Sequence, residues 1–132
     1  MEVNGLKDTF PSLVKIDITK NSNMKKNITE ILSNLNLNNP VLVMGKSLAL
    51  SKLLSIVEIS KQQFYQEIDQ QTLYQYNKME QIEQEKTMKS QESDLNVVIN
   101  DIYSKLEKVP ILYIILSKSS LDLPGWTNQP KS

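Results

Sequence analysis

The chain has 132 residues, 39% hydrophobic and 23% charged, with a formal net charge of zero, which suits a single soluble globular domain. It contains no His, Cys or Arg. That excludes His-assisted and Cys nucleophiles, Cys/His zinc sites, disulfides and arginine fingers, so no catalytic residue, metal site or cofactor is expected.

No apolar run approaches the ~18 residues of a membrane span. Met1-Glu2-Val3-Asn4 lacks the basic start and apolar stretch of a secretory signal. The expectation is an intracellular protein with no membrane partner.

Residues 1–12 show no periodicity and close at Pro11, which predicts a flexible N-terminal arm. Val14, Ile16 and Ile18 alternate with Lys15, Asp17 and Thr19, the period-two pattern of a half-buried strand. Asn21, Ser22 and Asn23 offer helix caps. Ile28, Ile31, Leu32 and Leu35 then share one face of a helix over about 24–36, which the Asn-rich stretch before Pro40 ends. Val41-Leu42-Val43-Met44 is wholly apolar, as in a central strand.

Gly45-Lys46-Ser47 turns the chain into a long helix from about Ser47 to Gln66. Tyr74 and Tyr76 alternate with polar residues in a third strand around Thr72–Met79. Residues 80–107 hold seven acids and three lysines. Leu95, Val98, Ile99, Ile102 and Leu106 have helical spacing behind a Ser93 or Asp94 cap, so this segment reads as an acidic, partly helical insert. Pro110 sits at the start of a last strand containing Ile111–Leu116, the most apolar run in the chain. Residues 121–132, with Pro124, Gly125 and Pro130, predict a flexible tail. The order β-α-β-α-β-insert-β is that of an α+β domain over 13–120, a mixed sheet with two helices on one face.

Charge is unevenly spread. Residues 1–61 hold eight lysines and five acids, whereas residues 62–132 hold seven lysines and ten acids. Nucleic-acid binding depends on a local basic face rather than on the total, and the first half has the charge for one. Gly45 lies between strand and helix, where backbone N–H groups receive an anion. Lys46, Ser47, Ser51 and Lys52 add donors and positive charge, which suits phosphate. Lys15, Lys20, Lys25 and Lys26 extend the same face. The alternative is a plain strand–helix connection with solvated lysines. A nucleoside-triphosphate P-loop is excluded, because its first Gly would stand where the chain has Pro40.

The long helix carries two apolar arcs at about 100° per residue. Leu50, Leu53, Leu54, Val57 and Phe64 form one; Leu48, Ala49, Ile56 and Ile59 form the other. One arc should cover the sheet, which makes the second a candidate dimer interface unless the insert folds over it. Tyr65, Tyr74 and Tyr76 are candidates to stack on unpaired bases or to pack on their neighbours. Trp126 reads as a partner anchor or as part of a disordered tail. Glu80, Glu83 and Glu85 read as charged surface.

Residues 49–61, Ala-Leu-Ser-Lys-Leu-Leu-Ser-Ile-Val-Glu-Ile-Ser-Lys, resemble the eukaryotic signature of the Alba superfamily of small nucleic-acid-binding proteins. That signature is a small, an apolar and a polar residue and Lys, then an apolar stretch closing in Val-Glu-Ile and a basic residue. The element order fits over about residues 13–117, and Tyr74–Met79 and Lys108–Leu112 support the match in the right order. Within the superfamily the chain is most similar to the Alba-type subunit of yeast ribonuclease P and ribonuclease MRP.

The resemblance implies a non-catalytic RNA-binding subunit that pairs, through this helix and the sheet, with a second Alba-type protein. The pair would hold a stem–internal-loop region of ribonuclease P or MRP RNA, or of telomerase RNA, among the other proteins of a nuclear and nucleolar ribonucleoprotein. Precursors of tRNA and rRNA are the implied substrates of the whole particle. Lys52 matches the motif's Lys, Gly45 and Lys46 the loop that approaches the backbone, and Glu58 the motif's acid.

The chain departs from the family at three points. Ser47 and Leu48 stand where loops of the family often carry Gly and a basic residue. The arm after the third strand is basic in DNA-binding members and acidic here, which favours a protein contact over groove wrapping. Without arginines, bidentate contacts are lost, so recognition leans on RNA shape and backbone. The competing readings are a chromatin-associated DNA-binding homodimer and a protein-interaction scaffold.

Overall fold

The computed structural model describes residues 5–67, 72–85 and 106–128. A one-turn helix α1 (Leu6–Thr9) precedes β1 (Val14–Ile18), α2 (Met24–Asn36) and β2 (Val41–Lys46). A 3-10 turn (Ser47–Ala49) runs into α3 (Leu50–Glu67), followed by β3 (Tyr74–Glu85), β4 (Leu106–Ser117) and a short β5 (Thr127–Asn128). The strands form one sheet in the order β1-β2-β4-β3-β5. Only β1 and β2 are parallel, joined by the crossover helix α2, and the other neighbours are antiparallel.

Local chemistry sets the ends of α2. The Asn23 side chain accepts from the Lys26 N–H at 3.2 Å and caps α2. Asn38 beyond its end takes a left-handed conformation with φ 63°, which asparagine tolerates.

Strand alternation splits the apolar residues into two cores. On the helix side, Ile16, Ile18, Val41, Val43, Ile114 and Leu116 meet Ile28, Ile31 and Leu35 of α2 and Leu53, Ile56, Val57 and Phe64 of α3. On the opposite side, Leu42, Tyr76, Ile111, Tyr113 and Ile115 are covered by Leu6, Leu13, Leu123 and Trp126. Both long helices thus lie on one face, as the sequence pattern predicts, and the two ends of the chain close the other.

That second cover differs from the expectation of flexible arms. Leu6 in α1 is fully buried. Residues 123–126 form a turn in which the Trp126 N–H donates to the Leu123 carbonyl at 3.2 Å and Gly125 takes φ 85°. The turn swings the indole edge-on to Tyr113, 6.4 Å between centroids, with the Lys78 ammonium 5.9 Å from the Trp126 ring. The Tyr76 hydroxyl accepts from the Leu121 N–H at 2.8 Å, and β5 adds Thr127 and Asn128 to the edge of β3. Burial raises the pKa of the Tyr113 phenol, with Glu80 and Asp17 pushing the same way.

The excess acids of the segment 80–107 lie in strands: Glu80, Glu83 and Glu85 in β3 and Glu107 in β4. Residues 80–85 continue β3 and residues 106–107 begin β4, with Ile82 opposite Val109 and Glu83 opposite Lys108. Cross-strand pairing of this kind overrides the charge of the segment. The expected helix after Ser93 and Asp94 lies outside the described residues, apart from Leu106, which belongs to β4.

Trp126→Ala should therefore destabilise the domain by about 3 kcal/mol, as for a large buried aromatic. Urea unfolding followed by circular dichroism measures it; a loss below about 1 kcal/mol would show that the tail contributes little.

Candidate nucleic-acid interface

The parallel pairing of β1 and β2 places their C-terminal ends together, Ile18 beside Gly45. Each strand leads through a short connection into a long helix, so the N-termini of α2 and α3 open at the same edge of the sheet. Ligands of open α/β sheets bind at this end of the strands. Neither helix has an acidic residue in its first turn, and no side chain caps the 3-10 turn ahead of α3. Lys20, Lys25, Lys26 and Lys46 are exposed around this edge. Two positive helix ends without local carboxylates and with added lysines form an anion-attracting surface.

The structure separates the residues that the sequence grouped here. Gly45 is not in a loop: it lies within β2, buried, in register with Ile18 and Leu112. Its backbone belongs to the ladder, and a Cβ there would meet Ile18 O and Leu53 Cδ2 at 3.4 Å, ordinary contact distance. Gly45 therefore lies in the sheet beneath α3 and not in an open loop. Lys46 ends β2 with an exposed side chain, and Ser47 and Ser51 are exposed beyond it. Lys15 is exposed, but its strand position puts it on the face opposite the helices, level with Leu42. It is not brought together with the others.

Lys52 is placed by a contact that no local pattern announces. Its ammonium donates to the Lys20 carbonyl at 2.7 Å and to the Ser22 carbonyl at 2.8 Å, linking α3 to the turn between β1 and α2. That turn is closed internally by the Thr19 N–H donating to Ser22 Oγ at 2.9 Å and the Ser22 N–H donating to the Thr19 carbonyl at 3.1 Å.

The candidate dimer residues need correcting. Ala49 and Ile56 are buried in the helix-side core, Ile56 completely, and Ile59 packs against it. The covered face of α3 is Ala49, Leu53, Ile56, Val57, Ser60 and Phe64. Leu48 alone of the proposed arc is free, 79% exposed at the tip of the 3-10 turn. Among the described residues an exposed apolar surface instead joins Leu54 of α3, 50% exposed, to Met79 of β3, 57% exposed. Leu112 lies between them, opposite Met79 in the sheet and lining with Leu54 a groove of about 220 Å³. Ile114, Gln75, Asn77, Glu58 and Lys61 complete that groove, the last two 3.8 Å apart.

The tyrosines are packing residues. Tyr76 is buried, and Tyr65 sits edge-on to Phe64 with its hydroxyl donating to the Leu73 carbonyl at 3.4 Å. Tyr74 packs against the opposite-side core. Among the described residues no group of three or more His, Cys, Asp or Glu is placed to hold a metal ion, and no helix is long and apolar enough to cross a membrane.

The backbone of Ser47 has φ 55°, a left-handed conformation that disfavours residues with a Cβ. Ser47→Gly should stabilise the domain by about 1 kcal/mol, the relief of that strain less the added chain entropy. Chemical denaturation reads the change, and a destabilised variant would show that the serine side chain holds the turn.

Against known proteins, the Alba family model matches residues 14–83, more than half of the chain. The fold is similar to that of Alba from Thermoplasma volcanium, with a TM-score of 0.53 at 14% identity over 78% of this chain and 98% of that one. No curated protein matches the sequence. With a five-stranded mixed sheet, two long helices on one face and a family match spanning β1 to β3, the chain belongs to the Alba family of nucleic-acid-binding proteins.

Proposed function

We propose that the chain is a non-catalytic RNA-binding subunit of ribonuclease P and ribonuclease MRP, similar to the sixth of the yeast Pop proteins, and that it acts in processing tRNA and rRNA precursors in the nucleus and nucleolus. The observation that carries the RNA reading is the edge where two acid-free helix starts meet exposed lysines. Lys20, Lys46 and the Ser47–Ser51 segment contact the phosphate backbone there, while Lys25 and Lys26 widen the field.

Structured RNA is favoured over duplex DNA for two reasons. Lysines without arginines supply point charges that follow a backbone rather than read base edges. The β3–β4 hairpin runs on past the end of β2 from Gln81–Pro110 to Glu85–Leu106, and there exposed Glu83 stands opposite exposed Lys108, so this stretch lacks the net positive charge that insertion into a DNA groove needs. The hairpin is left for other proteins of the particle. The resemblance of residues 49–61 to the eukaryotic signature supports the ribonuclease P and MRP assignment, with telomerase RNA as a further ligand.

The partner is a second Alba-type protein seated on Leu54, Leu112 and Met79. An apolar surface of this kind beside a polar-rimmed groove is the normal mark of a protein interface.

Lys20→Glu with Lys46→Glu should weaken binding to a stem–internal-loop RNA at least tenfold at fixed salt without changing the circular dichroism spectrum. Equal affinity in a gel shift would refute the phosphate contacts. RNA recovered with the tagged protein from its native cell identifies the particle; recovery without ribonuclease P or MRP RNA would refute that assignment. In the same purification, Leu54→Asp with Met79→Asp should release the Alba-type partner and leave the fold intact. Ile56→Asp, which buries a charge, should instead unfold the domain.

A further inference from the structure

We propose that Lys52 is a positioning residue rather than a phosphate ligand: its ammonium fixes the turn between β1 and α2 so that Lys20 is presented to the RNA backbone. The proposal rests on the RNA-binding reading of this edge.

Lys52 stands in the first turn of α3, where the helix macrodipole opposes a positive charge. Its two carbonyl partners, Lys20 O and Ser22 O at 2.7 and 2.8 Å, offset that opposition. They also take two of the three donors of the ammonium. The side chain is half-buried, whereas those of Lys20 and Lys46 are exposed.

The geometry of the turn gives the contact its consequence. Thr19 and Ser22 close the turn on itself, which shapes it but does not aim it. Lys52 bonds it to a helix 30 and 32 positions further along the chain. One of the two carbonyls belongs to Lys20 itself, so the backbone of an exposed lysine is held directly by a lysine that stays behind it. The turn and the 3-10 segment after Lys46 are thereby kept at a set separation. A rigid pair of backbone contacts loses less conformational freedom on binding than two independent ones.

The test compares four full-length chains, unaltered, Lys52→Met, Lys20→Met and the double variant, on one stem–internal-loop RNA over a range of salt. Amide exchange of residues 19–23 is followed in the absence of RNA. Lys52→Met should speed exchange in the turn and weaken RNA binding about tenfold, the scale of a lost phosphate contact. Lys20→Met should weaken binding similarly while leaving exchange unchanged.

The double variant decides. If Lys52 acts through Lys20, the double variant binds no more weakly than Lys52→Met and its salt slope falls no further. Lys52→Arg, which keeps charged donors, should restore turn protection and affinity together. Additive losses, with the slope falling by about one for each lysine, would make Lys52 a phosphate ligand and overturn the proposal. So would unchanged exchange in Lys52→Met. Lys52→Gln, which still donates to one carbonyl, gives the same comparison if Lys52→Met does not fold. No binding by the unaltered chain would overturn the RNA reading and the positioning role with it, whereas binding with additive losses would overturn the positioning role alone.

Discussion

Leu112, Ile114 and Leu116 of β4 look toward the helices, while Ile111, Tyr113 and Ile115 look the other way. This strand lies in the middle of the sheet, between β2 and β3, and it is apolar on both faces, so the sheet must be covered twice. Helices α2 and α3 supply one cover. The chain between them and the last strand offers no further described helix, so the second cover comes from the two ends, Leu6 and Leu13 before the sheet and Leu123 and Trp126 after it. The burial of both ends follows from the composition of one central strand.

The same arrangement leaves the candidate nucleic-acid edge open on its outer side. Because the helices lie on one face and follow parallel strands, both of their starts emerge at one end. The apolar strip runs from Leu54 on the flank of α3 across Leu112 to Met79 of the neighbouring strand. The proposed binding and pairing surfaces are thus separate: the lysine-flanked edge lies at the head of α3, and the exposed apolar residues lie along its flank and the neighbouring strands.

Much of this was readable from the residues. The alternation at 14–18, the spacing of Ile28, Ile31 and Leu35 and the apolar run at 41–44 encode their elements directly, because each pattern has the period of the structure it forms. The long helix was recognised, but its buried face was not. Ser60 stands in the middle of that face, fully buried, and a polar residue there breaks the apolar stripe that the eye follows. Ala49, Leu53, Ile56, Val57, Ser60 and Phe64 nevertheless have regular helical spacing. The tail was missed because one tryptophan and a two-residue strand produce no period at all. The placement of Lys52 was equally invisible: its carbonyl partners are backbone atoms, and a sequence carries no signal for them. A glycine before a helix reads alike whether it turns the chain or, as Gly45 does, still belongs to the preceding strand.

Trp126 is the only tryptophan in the chain, and it sits in the cover formed by the chain ends rather than under the long helices. Indole emission therefore reports on that side of the sheet and not on the side that carries α2 and α3. Local segments of a domain can open before the whole unfolds. Fluorescence and far-ultraviolet dichroism thus watch different layers of the same molecule, one optical and one backbone-based, and a gap between their transitions measures how tightly the two covers are coupled through the strand they share.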